Sequence, residues 1–168
     1  LFRSVIDIIN ALHEADPSAI MVTTKDGRSG LSGALGRSGS DELVMEFLRL
    51  APQLCRIRGL NGSYPLHLAV QYGRSQEIIK RICELFPNAL TYRDELNGYL
   101  PIQYLLTSDT INWPLVFYFW NLFPSPDYIN TLSNCQSCGS HSLKSIAEES
   151  LRTMLFAVLS NQSNQSDS

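Results

Sequence analysis

The chain has 168 residues, 44% hydrophobic and only 17% charged, which is enough apolar material for a folded core and too much for a chain that stays disordered. Its 13 basic and 16 acidic residues give a net charge of −3; residues 1–84 hold 10 basic and 9 acidic, and residues 85–168 hold 3 and 7. Neither half is a basic arm for nucleic acid.

Residues 4–16 carry an amphipathic pattern and are expected to form a helix, with His13 as a surface residue. The chain starts at Leu1 without methionine and runs straight into this pattern, so residues 4–16 read as the second helix of a unit whose beginning is absent. Asp26-Gly27 predicts a tight turn, because such pairs accept positive φ. Gly27, Gly30, Gly33, Gly36 and Gly39 follow at intervals of three. A phosphate loop would need a Gly-Lys-Ser/Thr ending and a leading apolar strand, and both are missing. This stretch is expected to be a turn plus a short helix weakened by glycine, at up to about 1 kcal/mol each.

Ser40 is placed to cap a helix over Asp41–Leu50, whose apolar residues are Leu43, Val44, Phe47, Leu48 and Leu50. Asn61-Gly62 predicts a second turn. Pro65 suits the first position of a short helix that Gly73 can end in the left-handed conformation, with Leu66 and Ala69 facing inward. Ser75 is expected to cap a second helix, Gln76–Phe86, with Glu77 favourably placed for the helix dipole. Ile78, Ile79, Ile82, Leu85 and Phe86 form its apolar stripe, and Pro87 stops it before an extended return.

Asn97-Gly98 predicts a third turn, followed by a short helix from Pro101 and a longer one after Asn112. Trp113–Phe123 is apolar on every side and is expected to be buried all round, the alternative being one aromatic face left open as a protein-binding patch. Its eleven residues fall short of the roughly 18 that span a bilayer, so no membrane span is expected. Ser142–Leu159 shows an amphipathic stripe suited to a capping helix, and Asn161–Ser168 is polar and of low complexity.

These elements recur. The turn pairs are spaced 35 and 36 residues apart, the prolines Pro17, Pro52, Pro87 and Pro124 by 35, 35 and 37, and the caps Ser40, Ser75 and Asn112 by 35 and 37. Three separate markers thus share one period, the signature of a repeat architecture.

At Gly62-Ser63-Tyr64-Pro65-Leu66-His67-Leu68-Ala69, followed by Gly73, the chain resembles the ankyrin repeat, whose core reads G-x-T-P-L-H-x-A-x-x-x-G and whose period is about 33. The resemblance covers residues 4–124. It weakens at Gly30-Leu31-Ser32-Gly33-Ala34, and at Pro101-Ile102-Gln103-Tyr104-Leu105 only the proline is kept. Tyr64 and Leu100 stand where the family places threonine, leaving those helices without a hydroxyl cap.

The resemblance implies an all-α, ankyrin-type solenoid of stacked helix pairs with projecting turns. Its expected parts are a truncated repeat at 1–24, repeats at 25–60 and 61–96, a divergent repeat at 97–130, a loop and capping helix at 131–160, and a tail at 161–168. Pro65, Leu66, His67, Ala69 and Gly73 are its structural motif, with His67 bonding turn backbone and a neighbouring unit. It also implies a non-catalytic module that binds a partner protein on a concave face. The positions expected to contact that partner are Lys25, Arg28, Leu60, Ser63, Gln71, Tyr72, Leu96 and Tyr99.

No nucleophile–base set, carboxylate pair or cofactor fingerprint stands out, so no enzyme, cofactor or catalytic residue is expected. Cys135 and Cys138 with His141 have a metal-like spacing but lack a second ligand pair, and read as free thiols, or as a disulfide if the protein is secreted. A small zinc-binding domain built on them is one alternative. Another is an accessory segment of a larger enzyme or channel. With four cysteines in all, a reducing, intracellular compartment is the expectation.

Overall fold

A computed structural model of the chain describes residues 4–106, 108, 111–123 and 152–153, apart from the side chain of Leu60. Among them are seven α-helices, four short 3-10 helices and a single isolated bridge, Thr23 to Ser29, so the fold is all-α. The α-helices are α1 (Val5–Ala15), α2 (Gly30–Ala34), α3 (Asp41–Leu50), α4 (Pro65–Gln71), α5 (Gln76–Leu85), α6 (Pro101–Leu106) and α7 (Trp113–Leu122). The chain divides into two compact units, Leu1–Pro101 and Ile102–Ser168, the boundary falling inside the stretch 97–130 expected as one repeat.

In the first unit the helices form two layers. The short α2 and α4 pack on one another, α2 pairs with α3, and α4 pairs with α5. The longer helices stack in turn, α1 on α3 and α3 on α5. The apolar stripes explain the order: Val44 and Leu48 of α3, and Ile78, Ile79 and Ile82 of α5, are fully buried with Leu31 of α2 and Leu66 and Ala69 of α4. Each large aliphatic side chain so buried contributes roughly 1.5–3 kcal/mol against leaving it in water.

Helix ends follow local chemistry. Ser40 Oγ accepts from Leu43 N–H at 3.2 Å, and Asn112 Oδ1 from Leu115 N–H at 3.2 Å. Ser4 and Asp7 exchange side-chain bonds at the start of α1 in a reciprocal capping box. Ser75 departs from expectation. It occupies the capping position of α5 with an exposed side chain that makes no capping bond, its hydroxyl being left to solvent. Gly73 ends α4 at φ 64°, where Arg74 N–H reaches Ala69 O at 2.9 Å and Gly73 N–H reaches Val70 O at 3.0 Å. That double closure is the Schellman motif.

Before each proline the backbone leaves the helical region in the same way: Asp16, Ala51, Phe86 and Phe123 have φ between −139° and −152°. The chain then does not run directly into an extended return. Pro52–Arg56 and Pro87–Thr91 each form a 3-10 helix first, because a fixed proline φ suits an opening helical turn as well as a stop. Leu54, Cys55, Ala89 and Leu90 on these turns are buried, so the extra turn closes the core rather than crossing solvent.

The glycines at 30 and 39 are spacers. A Cβ at Gly30 would stand 2.7 Å from the Phe47 ring, and one at Gly39 would stand 1.9 Å from Ala34 O. The loop from α2 to α3, which contains Gly39, is held by Arg74, whose side chain is only 9% exposed. Its guanidinium donates to Leu35 O at 3.1 Å, Gly39 O at 2.6 Å, Ala34 O at 3.2 Å and Gly36 O, and meets Asp41 Oδ1 at 3.3 Å. The planar five-donor fork of arginine suits this cluster of carbonyls where a lysine ammonium would not.

In the second unit, α7 buries Leu115, Val116, Phe119 and Trp120, a stripe at helical spacing. It is not buried all round as its composition suggests: Leu122 and Phe123 are exposed and Phe117 and Tyr118 half-buried. The expected capping helix Ser142–Leu159 lies almost wholly outside the described residues, and Cys135, Cys138, His141 and the 161–168 tail lie wholly outside them.

Candidate functional site: a row of three turns

The three turn pairs build three similar fingers in the first unit. In the first, Thr24 N–H bonds Arg28 O at 2.9 Å, Gly27 N–H bonds Thr24 O at 2.9 Å, and Gly27 has φ 74°. In the second, Gly59 N–H bonds Ser63 O at 2.9 Å, with Asn61 at φ 61° and Gly62 at φ 66°. The third closes from Asp94 N–H to Tyr99 O at 2.9 Å, with Gly98 at φ 68°. Here the buried Asp94 carboxylate also accepts Asn97 N–H at 2.7 Å and Tyr99 N–H at 3.2 Å.

The fingers lie against one another in chain order. A Cβ at Gly27 would meet Arg58 O at 3.6 Å, so the first tip rests on the second finger. Glu95 N–H bonds Asn61 O at 2.7 Å, tying the second tip to the third finger. Two arginines 35 residues apart play the same part. Arg58 Nε donates to Gly62 O at 3.1 Å, and Arg93 Nη1 to Gly98 O at 2.9 Å, each securing the glycine of its own tip. Arg58 also reaches Arg93 O at 3.4 Å and pairs with Glu95 at 3.4 Å.

Of the positions expected to contact a partner, Lys25 and Arg28 are exposed on the first finger and carry no ion pair among the described residues. Leu96 stands on the third tip at 62% exposure, and Gln71 and Tyr72 are exposed at the end of α4. Tyr99 is half-buried. Ser63 is a correction. At 8% exposure it is buried at the foot of its finger, where its carbonyl closes the turn, and it offers no contact surface. Leu60 contributes backbone to the second finger, and its side chain lies outside the described residues.

Beneath the fingers lies a group of rings and arginines that periodicity alone does not announce. The Tyr64 ring lies 5.0 Å from that of Tyr92 and 5.4 Å from that of Phe86. The guanidinium of Arg58 sits 5.3 Å over Tyr64, and that of Arg56 5.9 Å over Phe86, within cation–π range. Tyr64 therefore gives up a hydroxyl cap and gains an aromatic stack. Its departure from threonine is the one sequence signal that points here.

His67 is fully buried and has a structural role. Its Nδ1 accepts Tyr64 N–H at 3.2 Å, so Nε2 carries the proton and donates to Tyr92 O at 2.9 Å. It thus caps α4 from the third helical position and ties it to the start of the next finger. Burial lowers its pKa below the usual histidine value, so the ring is neutral near pH 7. Burial likewise pushes the thiols of Cys55 and Cys83 up to about 12, which makes both inert near neutral pH. His13 is half-buried rather than on the surface, and its Nδ1 has no hydrogen-bond partner among the described residues.

Charge is divided between the faces. Lys25, Arg28, Arg56, Arg58 and Arg93 lie on or at the foot of the fingers, with Asp26 and Glu95 as the exposed acids there. The outer surface of α3 and α5 holds an open depression of about 580 Å³, lined by Asp41, Glu42, Glu46 and Glu77 as well as Arg49 and Arg81. Among the described residues no group of three or more His, Cys, Asp and Glu side chains is gathered that could hold a metal ion, and no helix is long and apolar enough to cross a membrane. No family model, no curated protein and no solved structure matches the chain.

Proposed function

We propose that the chain is an ankyrin-type repeat module that binds a partner protein along the finger row and the short helices α2 and α4, and that it does no chemistry of its own. The single observation that carries this reading is the row itself. Three turns of one design are stacked tip to finger by backbone contacts and present Lys25, Arg28 and Leu96 outward, and Tyr72 is exposed at the C-terminal end of α4. A rigid backbone frame with exposed aromatic, aliphatic and basic side chains suits recognition, since little side-chain and loop freedom is lost on binding. The solenoid reading is supported by the recurrence of layer order, proline exits and finger-securing arginines at one period.

The test uses a partner recovered with the wild-type chain. Lys25→Glu, Arg28→Glu and Tyr72→Ala together are expected to abolish its recovery while the thermal midpoint and circular dichroism stay at wild-type values. A control pair on the outer helix face, Lys80→Glu with Arg81→Glu, is expected to keep it. Binding retained by the finger variant and lost by the control would place the site on the opposite surface and refute the proposal.

A further inference from the structure

The chain as a whole carries a net charge of −3, yet its first unit sorts charge by place. The three fingers with their feet, residues 22–28, 56–64 and 92–99, hold five cations and three acids, whereas α3 and α5 together hold three cations and five acids. Two of the three finger acids are engaged locally. Asp94 is buried against the amides of its own turn, and Glu95 pairs with Arg58 at 3.4 Å. Lys25 and Arg28 are exposed, carry no ion pair among the described residues, and have one acid between them, Asp26.

The row also changes character along its length. Counted back from the turn glycines Gly27 and Gly98, Lys25 of the first finger corresponds to Leu96 of the third. Leu96 is 62% exposed, and Tyr92 at the foot of the same finger is exposed beside it. One end of the row is therefore cationic and the other apolar, with Glu95 as its acid. Neighbouring fingers touch through their backbones, so one step along the row is roughly a helix diameter, about 10 Å, and two steps make about 20 Å. Extended polypeptide covers that distance in about six residues.

We infer that the finger row takes an extended, acidic stretch of its partner protein. Asp or Glu side chains of that stretch meet Lys25 and Arg28, and an apolar side chain about six residues along rests on Leu96. The inference rests on the finger row being the binding face. Charge complementarity selects this occupant: a carboxylate pairs with both nitrogens of the arginine fork and with the lysine ammonium, whereas a basic stretch would meet like charge at the same place. A nucleic-acid strand fits worse, because it carries a phosphate about every 3.4 Å. Its charges would fall on Leu96 and against the Glu95 carboxylate as well as on the cationic end.

The test selects from a displayed library of random peptides, about twelve residues long, on the full chain. Winners are expected to combine clustered Asp or Glu with an apolar residue about six positions away. On a Lys25→Glu, Arg28→Glu variant the same library is expected to yield Lys and Arg where the wild type selects Asp and Glu. In fluorescence anisotropy the acidic winners are expected to bind that variant at least about tenfold more weakly than the wild type, and to weaken as salt is added. Leu96→Ser is expected to keep the acidic preference and lose the apolar one. Uncharged or basic winners, an unenriched library, or an apolar preference that survives Leu96→Ser would each overturn the inference. So would a single-stranded oligonucleotide that binds as tightly as the best peptide. The binding-face reading fails separately: winners that bind the wild type and the Lys25→Glu, Arg28→Glu, Tyr72→Ala variant equally would refute both, whereas non-acidic winners lost from that variant would refute only the acidic occupant.

Discussion

Replacing Arg74 by alanine probes most directly what holds the loop between α2 and α3. The side chain is nearly buried and its guanidinium donates to four main-chain carbonyls, at Ala34, Leu35, Gly36 and Gly39. Hydrogen bonds to a charged group are worth roughly 1.5–3 kcal/mol each. Summing four would consume most of a domain's total stability of roughly 5–15 kcal/mol. The loop carbonyls can partly rehydrate once the side chain is gone, so the net loss lies nearer the 3–5 kcal/mol typical of breaking a buried charged pair. We therefore expect Arg74→Ala to cost about 3–4 kcal/mol in urea unfolding followed by circular dichroism.

For a unit of this size that corresponds to a thermal midpoint lowered by roughly 12–16 °C. Arg74→Lys keeps the charge but loses the fork, and is expected to recover less than half of the loss. Asp41 is half exposed and contributes little, so Asp41→Ala is expected to cost under about 1 kcal/mol. If Arg74→Ala stays within about 1 kcal/mol of the parent, or Asp41→Ala matches it, the carbonyl cluster is not what holds the loop.

The other predictions concern single buried positions. Because burial lowers the pKa of His67, the unfolded chain takes up a proton first as pH falls below about 6.5, and stability is lost over that range at up to about 1.4 kcal/mol per pH unit. Comparing His67→Gln with the parent between pH 7 and pH 5 should show a flatter dependence in the variant, and identical slopes would contradict the neutral buried ring. Gly39→Ala is expected to cost about 2 kcal/mol or more in the same urea assay, since its Cβ meets Ala34 O. Gly33→Ala has open space and is expected to be neutral or to gain up to about 1 kcal/mol from helix propensity. Equal effects at the two glycines would defeat the spacer argument.

Much of the first unit could be read from residues alone because its rules are local. Positive φ at Gly27, Asn61, Gly62, Gly73 and Gly98 follows from turn and helix-end chemistry, and α3 begins and ends where its cap and proline say. What escaped prediction depends on contacts between distant residues. Arg74 lies 35 or more positions from most of its partners, and nothing in its neighbourhood distinguishes it from a surface arginine. The glycines of the 27–39 stretch suggested only a weakened short helix, whereas the space that Gly30 and Gly39 leave is taken by Phe47 and by the Ala34 carbonyl. At the candidate site, exposure of Lys25, Arg28 and Leu96 followed from their place near the turn tips. The burial of Ser63 did not, because it depends on how far up the finger the closing bond lies.

The third finger has a consequence for how this chain could change length. Its closing bond spans Asp94 to Tyr99 where the second spans Gly59 to Ser63, so the added residue is absorbed between the bonded ends. The Asp94 carboxylate takes up the amide donors that the longer path exposes. The proline interval that contains this finger, Pro87 to Pro124, is 37 residues against 35 for Pro52 to Pro87, while the next helix keeps its distance from the turn glycine: Gly62 to Pro65 and Gly98 to Pro101 are both three residues. Tip length is thus separate from where the following short helix starts. Foreign segments inserted between Glu95 and Asn97 would incur a closure entropy that grows by only about 0.6 kcal/mol per doubling of loop length. That makes this tip the natural point for grafting recognition loops and for tolerating insertions.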